Sequence, residues 1–203
     1  MNIFKINEKH YFDFLDNVIA TPDKSLEINT VFYHSSEKSF AVEHEAPLEI
    51  ARIMVLVCKK AISNTLILPD FISPYKAGYA SSKYTHNFVT QDKDYDICFK
   101  ITAYILFNIN YTKVWLYNHN NKIIMEISPS YPWHYLDPKD DEQFETFEQF
   151  MTNYKPIAIH EISKETAQEW LKQAQDYLDI VEPQFEQWCK EHKDELYYLK
   201  EDA

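Results

Sequence analysis

"YDICFKITAYILFNINYTKVWLYNHNNKIIMEI", residues 95–127, is the stretch whose reading decides how this chain folds. In its first half Ile97, Phe99, Ile101, Ala103, Ile105 and Phe107 alternate with Lys100, Thr102, Tyr104 and Asn108. A period of two predicts a strand with one buried face. In its second half "KVWLY" and "KIIMEI" flank "NHNN", and asparagine tolerates the left-handed conformations of a tight turn, which predicts a hairpin. The middle of the chain is therefore expected to form an antiparallel sheet.

Upstream, "NEKHYFDFLDNVIA" places Tyr11, Phe12, Leu15, Val18 and Ile19 at three- and four-residue spacing behind a capping Asn7, which predicts a helix ended by Pro22. "LEINTVFYH" and "SFAVEH" read as two short strands joined by "SSEK". In "APLEIARIMVLVCKKAIS", residues 46–63, Pro47 and Glu49 suit a helix start and Lys59 and Lys60 its end. A helix buried on most sides is expected, with a central strand within 52–58 as the competing reading, because period alone does not separate them.

Downstream, "KPIAIHEI" predicts an edge strand. "SKETAQEWLKQAQDYLDIV" then carries a stripe of Ala167, Trp170, Leu171, Ala174, Leu178 and Val181 behind a capping Ser163. Pro183 either kinks this helix or starts a second one through Phe185, Trp188, Cys189, Leu196 and Leu199. The expected architecture is a single α+β domain over residues 1–203, with an acidic helical part at 137–203. A central antiparallel sheet would carry an N-terminal helix and two C-terminal amphipathic helices.

Charge is placed unevenly. Residues 1–136 carry fourteen acids and thirteen bases, whereas residues 137–203 carry eighteen acids and seven bases. A negative field of that kind repels nucleic acid and anionic membrane and attracts a basic partner. The single glycine argues against a flexible phosphate-gripping loop, and neither a P-loop, a dinucleotide fingerprint nor a nucleophile elbow is present. No cofactor or metal motif is found. "HEISKE" has Lys164 where a zinc helix needs a second histidine, and "DKDYD" lacks the glycine and the closing glutamate of a calcium loop. Three isolated cysteines, no leader pattern and no long apolar run predict a cytoplasmic protein with reduced thiols.

Two constellations compete for function. "SPSYPWHYLDPKDDEQFETFEQF", residues 128–150, combines three prolines, alternating Tyr131, Trp133 and Tyr135, and then a run of acids. Rigid backbone, ring anchors and the carboxylates of Asp137, Asp140, Asp141, Glu142 and Glu145 suit protein recognition. By analogy with the acidity and size of inhibitors and immunity proteins, an occluder of a basic protein such as a toxin or nuclease is expected. The alternative is a small hydrolase or transferase using His86, His119 or His134 with a carboxylate such as Asp137. A further alternative is a structural or self-assembling protein. "SPYKAGYASSKYTHNF", residues 73–88, is the one basic and aromatic patch, too small to overcome the acidic whole for nucleic-acid binding.

Overall fold

The computed structural model describes residues 3–14, 29–109, 111–134 and 144–191. Among these, helices and strands are mixed, in two four-stranded antiparallel sheets and five helices rather than one central sheet. The first sheet runs β1 (Ile3–Lys5), β2 (Tyr11–Phe14), β3 (Asn29–His34) and β4 (Ser39–Glu45) in spatial order. The second runs β5 (Ile105–Ile109), β6 (Thr112–His119), β7 (Lys122–Pro129) and β8 (Ala158–Ile162). The helices are α1 (Pro47–Ile62), α2 (Ala77–Gln91), α3 (Tyr95–Thr102), α4 (Phe147–Asn153) and α5 (Lys164–Glu191).

The hairpin forms as its asparagines predict. Asn120 and Asn121 take φ of 50° and 60° between β6 and β7, whose register pairs Trp115 with Glu126 and Tyr117 with Ile124. The stretch 46–63 is the helix rather than the strand, because Ile50, Met54, Val57, Cys58 and Ala61 are buried at helical spacing.

Three further expectations change. Residues 95–102 are helical, not extended. Ile97 and Ile101, one turn apart, face the core together, while Phe99 is 72% exposed, so the two-residue alternation did not mark a face. At the N-terminus, residues 11–14 of the expected helix form β2, paired with β1 and β3; residues 15–20 of that stretch lie outside those described. The two C-terminal helices are one helix that continues through Pro183 to Glu191. Leu196 and Leu199 lie beyond the described residues.

The second sheet is covered on both faces. On one, α1 and α5 share a core with both sheets, through Phe4, Phe12, Met54, Leu116, Met125 and Trp170 among others. The Trp170 indole donates to the Lys5 carbonyl at 2.8 Å, which ties α5 to β1. Arg52, the only arginine of the chain, bridges Glu49 at 2.6 Å and Glu182 at 3.0 Å and so spans α1 and α5. On the other face, α2 and α3 cover Trp115, Tyr117 and Ile124.

Candidate functional site

The face under α2 is polar at its centre. Glu126 is fully buried, and its carboxylate accepts from five donors. The Ala77 and Gly78 amides reach it at 3.1 and 3.2 Å, supplying anion-binding donors from the start of α2. The hydroxyls of Tyr117, Ser128 and Tyr154 donate at 3.1, 2.5 and 3.0 Å. Such satisfaction is what lets a carboxylate sit in a protein interior. Gly78 makes the approach possible, because a Cβ there would stand 2.3 Å from the Ser128 Cβ.

Beyond this hub the same face opens into a cleft of about 130 Å³. Its lining includes Ser82 and Thr85 of α2, Asn108 and Lys113 of the β5–β6 corner, and Ser130 and His134 after β7. Lys113 is partly accessible as a residue, yet its amine is deep enough that desolvation lowers its pKa. The amine donates to Ser81 Oγ at 3.1 Å. Burial, reinforced by the neighbouring His86 and Lys113, pushes the His134 pKa down to about 4. His134 is therefore neutral at neutral pH.

The segment 131–134 is the wall of this cleft. Tyr131 points inward, only 8% exposed, and its hydroxyl donates to the Glu145 carbonyl at 3.1 Å. Its ring centroid lies 4.8 Å from that of His134, 5.3 Å from Phe147 and 5.4 Å from Phe150. The His86 ring stacks on Phe147 at 3.7 Å and 3°, with His134 5.1 Å away. Two of the three singled-out histidines are thus brought together in an aromatic box. His119 is not among them. It sits at the far end of β6, six residues or roughly 20 Å of strand from Lys113. There its ring meets Tyr75 at 5.7 Å.

On its outer side the wall presents Trp133, half-buried against Phe144 with ring centroids 5.9 Å apart. Phe144 is 53% exposed. It borders a groove of about 380 Å³ shared with Glu145, Gln149 and Asn153. Glu145 Oε1 accepts from Asn153 Nδ2 at 3.1 Å. The helix that follows is capped by Thr146 and Gln149 in a reciprocal box rather than by the acids. Of the recognition residues named from sequence, Tyr135, Asp137, Asp140, Asp141 and Glu142 lie outside the described residues, and with Asp137 so does its pairing with His134.

Asp92 and Asp94 take left-handed conformations between α2 and α3, and Asn87 holds Asp94 at 2.8 Å. Among the described residues no group of three or more His, Cys, Asp or Glu side chains is placed to hold a metal ion, and no helix is long and apolar enough to cross a membrane. Lys113 was not singled out from sequence. The signal was its alternation with Trp115 and Tyr117 in "KVWLY", which puts it on the face of the hairpin that α2 covers.

No family model matches this chain, and neither the curated proteins nor the solved structures yield a match.

Proposed function

We propose that the chain is a binding protein that occludes a basic protein partner, as inhibitors and immunity proteins do. The observation that carries this reading is the Trp133–Phe144 ring pair at the surface, beside Glu145 and the exposed Glu148. Rings supply affinity on desolvation, and surrounding carboxylates steer a cationic partner and select for it. The anchor pair is Trp133 with Phe144 rather than Trp133 with Tyr131, since Tyr131 is committed to the interior. The described part of α5 adds seven acids against three lysines.

The enzyme alternative gains His134 in a cleft, but no carboxylate lines that cleft among the described residues. Self-association draws support from Tyr95 and Phe99, which are 64% and 72% exposed on α3. The test is a pull-down at low and moderate salt, comparing the native chain with Trp133→Ala/Phe144→Ala and with a charge-reversed Asp140→Lys/Asp141→Lys/Glu142→Lys variant. A basic protein released by salt and lost from both variants supports the reading. Retention by both variants removes this surface from it, and light scattering that finds a stable homo-oligomer favours self-association.

A further inference from the structure

The cleft behind the 131–134 wall contains a lysine amine that faces no carboxylate among the described residues. An ammonium offers three donors, and Lys113 places one on Ser81 Oγ. Among the described residues no carboxylate lies within ion-pair distance of its Nζ. The neighbouring Cys98 thiol acts electrostatically on Lys113, but burial raises that thiol's pKa, so it stays protonated at neutral pH and supplies no charge. Holding an amine charged out of water is unfavourable unless an anion joins it. A methionine would fill the same space without that cost.

A second observation is independent of the lysine. Ser82 is 4% exposed and lines the same cleft, and its Oγ has no hydrogen-bond partner among the described residues. Buried hydroxyls normally find an acceptor, and Ser82 is one of a few described side chains that do not. Thr85 and Ser130 add hydroxyl-bearing residues to the wall. On the scale where roughly 10–15 Å³ holds one water, a cleft of this size takes a ligand of several heavy atoms.

We propose that the cleft binds a small oxyanion, the carboxylate or phosphate group of a metabolite-sized ligand, with Lys113 as its counter-charge and Ser82 Oγ as a donor. Such a site needs no catalytic base and does not rest on the outer surface assigned above. It would be complete with the anion in place, since the ligand oxygens supply acceptors that the described residues do not.

Calorimetric titration with inorganic phosphate and, separately, with acetate tests this, at ionic strength held constant with sodium chloride. The expected result is saturable binding of at least one anion, weakened about tenfold or more by Lys113→Met and by a smaller factor by Ser82→Ala. Preference for phosphate identifies a phosphorylated ligand, and preference for acetate a carboxylate. Absence of saturable binding to either anion overturns the proposal, and so does a Lys113→Met protein that binds like the native one. Should Lys113→Met lose its native circular dichroism, amide shifts in the native protein decide. Phosphate or acetate shifts centred on Ser82, Thr85, Asn108 and Ser130 support the site, and shifts elsewhere overturn it.

Discussion

Gly78 and Ser128 touch so closely that the only glycine of the chain cannot carry a side chain: a Cβ built on it stands 2.3 Å from the Ser128 Cβ and 2.7 Å from the Tyr154 hydroxyl. The residue is chosen for proximity, not for backbone freedom, since no glycine of the structure has positive φ. Gly78→Ala is expected to lower stability by about 1–3 kcal/mol, because the neighbours on the clash side are strand and a hydrogen-bonded hydroxyl. Urea denaturation would measure it. A variant as stable as the native protein would show that α2 shifts away from the sheet at little cost.

The Glu126 hub predicts an asymmetry between charge and shape. Oε1 accepts from Gly78, Ser128 and Tyr154, and Oε2 from Ala77 and Tyr117. Glu126→Gln keeps the volume but turns one acceptor into an amino group, which must face one of the two α2 amides. A loss of about 1–3 kcal/mol is expected from the unsatisfied donor. Faster hydrogen exchange at the start of α2 should accompany it, and unchanged exchange there would contradict the assignment.

Two histidines make stability depend on pH. Burial, with His10 alongside, pushes the His160 pKa down to about 4, and its Nε2 meets the Tyr33 hydroxyl at 3.0 Å. His134 is lowered to the same value, facing His86 and Lys113. An unfolded imidazole titrates near 6.5, so between these values the unfolded chain binds more protons. Stability is therefore expected to be full above about pH 6.5, to fall as pH drops toward 4, and to gain no further loss from these two groups below that. Urea midpoints between pH 7 and 4 would trace the decline, and His160→Gln should make it shallower. The same slope in that variant would remove His160 from the account.

At the hairpin, Asn120 and Asn121 hold left-handed conformations. Asn121→Val is expected to cost about 1–2 kcal/mol, because a β-branched side chain is strained at positive φ. Asn121→Gly should stay close to the native protein, apart from losing the 3.3 Å bond from Asn64 Nδ2. Thermal unfolding of the pair would separate backbone strain from side-chain contact.

What was legible in the sequence followed from local signals that tertiary packing did not contest. The β6–β7 hairpin, β8 and the start of α5 carry period and end signals that agree, while at α1 only the end signals, Pro47 and Glu49 against Lys59 and Lys60, favour the helix. At residues 95–102 the apolar side chains at 97, 99 and 101 satisfy a two-residue period, while only Ile97 and Ile101 pack inward. In β2, Tyr11 and Phe12 suit a helix as well as a strand, and pairing with β1 and β3 decides for the strand. The candidate cleft was illegible for a different reason. Lys113, Ser82 and His134 belong to three separate elements, and only the close seating of α2 on the sheet brings them to one wall.

The 131–134 segment separates two faces, with Tyr131 and His134 lining the cleft and Trp133 meeting Phe144 on the other side. Thermodynamic linkage then sets a rule for any two occupants. If an anion within the cleft changes affinity for a protein at the Trp133–Phe144 face, that protein must change affinity for the anion by the same factor. Any such coupling would pass through the rings of Tyr131, His134, Trp133 and Phe144, which meet along this segment.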